Sequence, residues 1–243
     1  MIEEKIAICI PTYNECENIE KLISEIIKLK NNTYVVVVDD NSEDGTSAII
    51  KKSFEKLLED KIFIVSRNGK LGRGSAVRDG FIFLKNKIKD INIFIEMDAD
   101  FSHSISDLIK GIEIFKKEKP DVLLGSRYPS GKIINWPIQR RIFSFLSNLL
   151  IRIFVSRKIH DYTNGFRFYN FKSVELMISM DQKNKGFIYL SETLVYFLKE
   201  KFVIQEFIIT FKNRVRGKSN TNLREIISSL LGLFNIIKNY YMK

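Results

Sequence analysis

The first hundred residues alternate short, unbroken apolar runs with longer stretches whose apolar positions recur every three or four. "KIAICI" (Lys5–Ile10) reads as a buried strand ended by Pro11. "ECENIEKLISEIIKLK" (Glu15–Lys30) places apolar side chains at 19, 22, 23, 26, 27 and 29, one face of a helix. "TYVVVVDD" (Thr33–Asp40) is a β-branched run that suits a central parallel strand. A helix over Thr46–Glu59, a strand over Lys61–Ser66, a glycine loop, a helix over Ser75–Ile88 and a strand over Ile91–Asp98 follow. The order βαβαβαβ with right-handed crossovers predicts an α/β fold, a mostly parallel Rossmann-like sheet flanked by helices. Ligands of such sheets bind beyond the carboxyl ends of the strands. Residues 11–15, 39–45, 67–74 and 98–103 fall there.

The pattern changes from about residue 121. A strand is expected over Asp121–Tyr128 and an apolar helix with basic punctuation over Ile138–Arg157. "DYTNGFRFYNF" reads as loop then strand, Ile188–Lys201 as a helix and Phe202–Phe211 as a strand. Residues 222–241 form an amphipathic pattern that closes the chain. With no repeat and no Pro- or Gly-rich linker, one continuous domain is expected over 1–220, with 221–243 an amphipathic helix packed on it or facing a membrane.

Composition alters little except through charge. The chain has 243 residues, 45% hydrophobic and 28% charged, enough for a sizeable core. Two cysteines cannot make a disulfide framework, and Cys9 in its apolar run reads as a buried thiol. "MIEEKIAICIPTYNE" is no signal peptide, and no window reaches the roughly 18 apolar residues of a spanning helix. The net charge is +10, unevenly spread. Residues 1–121 hold 19 Lys and Arg against 22 Asp and Glu, whereas residues 122–243 hold 20 against 7. A basic second half points to an anionic partner or to a merely solvated basic surface.

The sharpest chemical signal is "FIEMDADFSH" (Phe94–His103), where a buried strand runs into Asp98 and Asp100. Burying charge is costly unless it is paired or holds a metal. Two such carboxylates suit a divalent cation that also holds substrate phosphates, or else they are strand-end and capping acids. Asp39 or Asp40 could accept hydrogen bonds from a base or ribose, while Asn41, Ser42 and Asp44 read as turn residues. "GKLGRGSAV" (Gly69–Val77) has Val77 where a dinucleotide fingerprint needs its third glycine, which argues against a dehydrogenase. Arg127, Arg140, Arg141, Arg167, Arg214 and Arg216 are candidates for phosphate contacts. His103 and His160 are too sparse for zinc and read as local hydrogen-bonding residues.

"PTYNE" (11–15), "VVDDNSEDGT" (37–46), "MDADFSH" (97–103), "GSRY" (125–128), "WPIQRRIFS" (136–144), "DYTNGFRFY" (161–169) and "NRVRGKS" (213–219) follow one another in one order. Together they resemble the dolichol-phosphate mannosyltransferases, inverting family 2 glycosyltransferases with the GT-A fold. The resemblance implies nucleotide-sugar contacts at Pro11, Tyr13, Glu15, Val38, Asp40, Asp98, Ala99, Asp100, Arg127 and Arg214. It implies Mg²⁺ or Mn²⁺ on Asp98 and Asp100, with Ser102 where some relatives supply a further metal contact through glutamine. It makes Asp98, Asp100, Arg127 and Arg214 the catalytic set and gives Arg140 to the acceptor phosphate. Two positions depart from the pattern. Asn220 stands where a lysine is usual, and Ser104–Ile105 where a proline is usual.

The resemblance implies transfer of mannose from GDP-mannose to a dolichyl or polyprenyl phosphate. The expected partners are that donor, that lipid, and a membrane surface or a separate membrane subunit, with no nucleic acid. The protein is expected in the cytoplasm, peripheral at the cytoplasmic face of a membrane. A phosphate acceptor is already ionised and needs no strong base, so Glu192 is expected to be a structural or positioning acid, the alternative being the base of a different transferase. The alternatives are another donor such as UDP-glucose, a hydroxyl acceptor, or a non-catalytic basic membrane-binding scaffold.

Overall fold

The structure is a computed structural model that describes residues 4–29, 32–181, 183–184, 186, 188–214, 232–238 and 240–241. Strand β1 (Lys5–Thr12), helix α1 (Cys16–Ile27), β2 (Asn32–Asp39), α2 (Thr46–Ser53), β3 (Ile62–Ser66), α3 (Arg73–Lys87) and β4 (Ile91–Glu96) follow the predicted alternation. Helix α4 (Ile105–Glu118), β5 (Val122–Ser126), β6 (Lys132–Ile134), α5 (Ile138–Phe154), β7 (Arg167–Tyr169), α6 (Phe171–Ser179), α7 (Tyr189–Lys199), β8 (Ile204–Ile208) and β9 (Thr210–Lys212) complete the chain as far as residue 212.

Seven strands form one sheet in the order β3-β2-β1-β4-β7-β5-β8. Neighbours are parallel except around β7, which runs antiparallel to both β4 and β5. The mostly parallel α/β sheet expected from the sequence is therefore present. Alternation along β1 splits the core in two. Ala7 and Cys9 join the layer of α3, α6 and α7, and Ile6, Ile8 and Ile10 the layer of α1, α2 and α4. Register aligns Thr12 with Asp39 and Asp39 with Ser66, so these strands end at one level.

Several boundaries differ from the sequence reading. The helix expected over Thr46–Glu59 stops at Ser53 and continues as a 3₁₀ turn at Glu55–Leu57. The strand expected over Phe202–Phe211 is broken at Ile209: β8 stays in the main sheet and β9 leaves it to pair with β6. Helices α4 and α6 occupy stretches that periodicity leaves unassigned. Ser104, where the family pattern has proline, caps α4 by accepting the Asp107 N–H at 3.0 Å. The division at residue 220, Asn220 itself and most of the closing helix lie outside the described residues. Within its described part, Leu233 and Ile236 are buried against the main core while Phe234 points outward.

Candidate active site

The carboxyl edge of the sheet carries the candidate residues, and much of its chemistry is structural. Asp39 accepts from Thr12 at 2.9 Å, from the Ser42 backbone at 3.2 Å and from Ser47 at 3.0 Å, so its lone pairs are spent inside the fold. Asp44 ties the starts of two helices together, accepting from Cys16 N–H at 2.9 Å and Thr46 N–H at 3.0 Å. Asp40 meets buried Arg67 and accepts the Leu71 and Gly72 N–H groups at 3.1 and 3.3 Å. Burial pushes its carboxyl up, and Arg67 and the backbone donors offset only part of that. Gly72 adopts φ +99°, open to glycine and unfavourable for other residues, and so turns the loop into α3.

Strand β4 stops at Glu96, and the chain then turns rather than running on. Phe101 takes φ +61°, rare for a bulky side chain, and folds Ser102 back onto Asp100. Asp100 accepts from Ser102 N–H at 3.0 Å and from its hydroxyl, and its other oxygen lies 2.9 Å from Arg214. Arg214 also reaches Glu15 at 3.2 Å. Burial raises the Glu15 carboxyl above its ordinary range despite Asn18 and Arg214. The Asp98 side chain remains 32% exposed. Burial alone would raise its carboxyl, but Arg73 beside it holds it below the ordinary value. The His103 Nδ1 accepts the Asp98 N–H at 3.1 Å and its Nε2 faces Asn164 Oδ1 at 3.1 Å. Burial lowers its pKa, which keeps it neutral and makes it the local hydrogen-bonding residue the sequence suggested.

Arg73 and Glu96 were not singled out in the sequence. Arg73 meets Asp98 Oδ1 and Gly165 O at 3.0 and 2.9 Å, Glu96 at 2.8 Å, and the Tyr189 hydroxyl. The only hint was an Arg in the glycine loop and a Glu in an otherwise apolar strand.

Arg127 is buried and commits its Nε and Nη2 to Asp161 at 2.7 and 2.8 Å, with Thr163 at 2.7 Å. Trp136 and Phe211 flank its guanidinium at 5.1 and 5.4 Å. Arg140, Phe143 and Ser144 of α5 complete that wall. Glu192 accepts the Lys183 and Asn184 N–H groups at 3.3 and 3.1 Å, so it supports the loop before α7.

These elements enclose a cavity of about 610 Å³, ample for a nucleotide sugar. Pro11, Tyr13, Glu15, Asp40, Asp98, Ala99, Asp100, Ser102, Arg127, Arg140 and Arg214 all line it. Val38 does not: it is wholly buried in the core against Gly80 of α3, because its strand position points away from the edge. Arg167 is likewise fully buried beneath the site, and Arg216 lies outside the described residues. Among the described residues no group of three or more His, Cys, Asp or Glu converges, so Asp98 and Asp100 stand as a pair.

Residues 7–177 match the model of glycosyl transferase family 2. The chain is 34% identical over 239 residues to the dolichol-phosphate mannosyltransferase of Pyrococcus furiosus, covering 96% of this chain and 64% of that one. It is 30% identical over 226 residues to the polyprenol monophosphomannose synthase of Mycolicibacterium smegmatis, covering 91% of this chain and 84% of that one. Mannosyl-3-phosphoglycerate synthase from Rubrobacter xylanophilus superposes with a TM-score of 0.68 at 15% identity, over 97% of this chain and 73% of that one. Glucosyl-3-phosphoglycerate synthase from Mycobacterium tuberculosis, crystallised with Mn²⁺, UDP and glucosyl-3-phosphoglycerate, superposes with a TM-score of 0.65 at 17% identity, over 98% and 80%.

Proposed function

The chain belongs to glycosyl transferase family 2, and we propose that it moves mannose from GDP-mannose to the phosphate of a dolichyl or polyprenyl lipid with inversion. One observation carries the acceptor class. Helix α5 walls the cavity with Arg140, Phe143 and Ser144, while Ile138, Ile142, Phe145 and Leu149 of the same helix are exposed. A phosphate that reaches Arg140 would lay its hydrocarbon tail along that apolar strip. The two lipid-phosphate relatives support the same class.

The residues present fit Mg²⁺ or Mn²⁺. Asp98 Oδ2 is 3.9 Å from His103, too far for a hydrogen bond, and Asp100 Oδ2 meets only the partly exposed Arg214 among the ion pairs described. Two carboxylates on one turn, with the remaining positions left to diphosphate oxygens and water, is how such ions are usually held. When bound, the ion would neutralise charge on the departing nucleoside diphosphate. The chain's own residues do the rest. Tyr13, with Lys70 5.0 Å from its ring, offers a face to the base. Arg214 stands beside both Asp100 and Glu15, where it can offset diphosphate charge. Arg127 is held against Asp161 on the cavity wall, where its guanidinium is proposed to meet the donor. An acceptor phosphate oxygen bonds to the anomeric carbon as the opposite bond to the diphosphate oxygen breaks. The attacking oxygen is already anionic and the departing one leaves with the bonding pair as an anion, so no proton need move. This agrees with Glu192 being turned to the loop backbone.

No helix among the described residues is long and apolar enough to cross a membrane. On this reading the protein works peripherally at the cytoplasmic face of the membrane that holds its lipid acceptor, and residues 221–243 are proposed as an amphipathic helix packed on the domain or facing that membrane.

The test is turnover of labelled GDP-mannose or UDP-glucose on dolichyl phosphate in vesicles, with Mg²⁺ or Mn²⁺. Lipid-linked mannose that is absent with Asp100→Ala supports the reading. Lipid-linked glucose overturns the donor, and no lipid-linked product from either donor overturns the acceptor.

A further inference from the structure

Beneath Asp98 lies a buried cluster that the reaction above does not use. Arg73 opens α3 with its side chain 9% exposed, and Glu96 closes β4 with its side chain wholly buried. Two buried ions cost several kcal/mol each in lost hydration, offset only where they are paired and further hydrogen-bonded. Here they are both. The Glu96 carboxylate meets Arg73 at 2.8 Å, accepts the Tyr169 hydroxyl at 2.6 Å and accepts the Tyr189 hydroxyl. Gly165 makes room for the guanidinium: a Cβ there would sit 2.4 Å from Arg73 Nη2. Glu96, Tyr189 and the Gly165 carbonyl thus hold Arg73 from three sides.

A cluster that only stabilised the fold would be complete with those partners. Arg73 makes one more contact, on the side facing the cavity. Its Nε and Nη2 both lie 3.0 Å from Asp98 Oδ1. That grip fixes one carboxylate oxygen and leaves Oδ2 as the oxygen not held by the guanidinium. We propose that Arg73 is a positioning residue that orients the Asp98 carboxylate toward the cation site, with Glu96 and Tyr189 as its anchors. The inference rests on the reading that Asp98 holds a divalent cation with a nucleoside diphosphate.

Tyr189 begins α7, directly after Ile188, which lines the cavity with Lys183 and Asn184. One guanidinium therefore ties the Asp98 turn to the segment that enters α7.

The experiment is calorimetric binding of GDP to the full-length protein with and without Mn²⁺, alongside thermal unfolding. The variants are Asp98→Asn, Arg73→Lys, Tyr189→Phe and the charge-neutral double Arg73→Met/Glu96→Gln. Arg73→Lys keeps the charge but loses the fork. It should weaken Mn²⁺-dependent binding roughly 10- to 100-fold, the usual effect of removing a residue that orients a metal ligand. Binding of GDP without metal should not move. Tyr189→Phe keeps every charge and should shift Mn²⁺-dependent binding the same way by a smaller factor. The double variant removes both buried charges together and covers the case in which Arg73→Lys does not fold. If the folded variants bind Mn²⁺ and GDP as the wild type does, even with a lowered melting temperature, the cluster is structural only and the inference is overturned. If the wild type shows no Mn²⁺ dependence, or Asp98→Asn keeps it, the cation reading itself fails and takes the inference with it.

Discussion

Asp161 is fully buried, and a buried carboxylate is tolerated when it is paired and hydrogen-bonded. Arg127 supplies its Nε, its Nη2 and its backbone N–H, the last at 3.0 Å. Burial alone would raise the Asp161 carboxyl, but Arg127 outweighs it and the carboxyl titrates below its usual value of 3.8. As pH falls, the unfolded chain takes up this proton first. The pair's contribution is therefore complete above about pH 3.8 and is lost as pH falls through the lower folded value. Asp161→Asn leaves Arg127 charged and unpaired, which should cost about 3–5 kcal/mol in urea unfolding at pH 7. The gap from wild type should narrow below about pH 3.8, and a gap independent of pH would disprove the assignment. The same residues show what a sequence hides. Asp98 and Asp100 stand out because an apolar run leads into them. Asp161 does not reveal Arg127, which is 34 positions away. Arg73 is harder still, since its partners Glu96, Gly165 and Tyr189 are 23, 92 and 116 positions away.

Helix α3 must lie close on β1 and β2 for Arg73 at its start to reach Asp98, and Gly80 sets that approach. A Cβ on Gly80 would lie 2.4 Å from Cys9 Sγ, 2.9 Å from Val38 Cγ2 and 3.2 Å from Val36 Cγ1. The two valines are stiff and fixed in central strands. Gly80→Ala gains about 1 kcal/mol in helix propensity but loses about 1–3 kcal/mol to overpacking. The net expectation is a small destabilisation with a lower melting temperature, and a raised one would show that the helix can shift freely. Close approach also explains which elements periodicity finds. Strands β1, β2 and β4 are buried on both faces and read as unbroken apolar runs. Helix α4 buries Leu108, Gly111, Ile112 and Phe115, and the glycine that interrupts its apolar stripe is where the Phe168 ring packs, 2.3 Å from a would-be Cβ. Strand β9 is three residues long and is specified by its partner β6, so no local pattern marks the break at Ile209.

On the proposed reading, the sheet edge, the cavity and α5 give the molecule one face for a charged, lipid-bearing substrate. Ile138, Ile142, Phe145, Leu149 and Ile153 are 65%, 51%, 52%, 38% and 54% exposed. Their spacing keeps them on one side of α5, while Ser144, Ser147, Asn148 and Ile151 are buried on the other. The Tyr241 hydroxyl donates to the Phe154 carbonyl, which sets exposed Tyr241 at the end of α5. So contiguous an apolar strip is unusual on a soluble monomer and marks an interaction surface. Arg141 and Arg152 on the same helix, in the basic half of the chain, favour an anionic leaflet over another apolar surface. Each of these apolar side chains is already about half covered, so withdrawing the rest from water contributes about 1 kcal/mol. Replacing two with Ile142→Glu and Phe145→Glu should therefore abolish sedimentation with anionic vesicles. High salt alone should weaken it only in part, because the apolar contribution is unscreened. Turnover separates docking from catalysis. The double variant should lose transfer to dolichyl phosphate held in vesicles yet keep transfer to a short-chain, water-soluble polyprenyl phosphate, since neither substitution touches Arg140 or the Asp98 turn. Loss of both activities would mean that α5 shapes the cavity itself, and retention of both would mean that the lipid reaches Arg140 by another face.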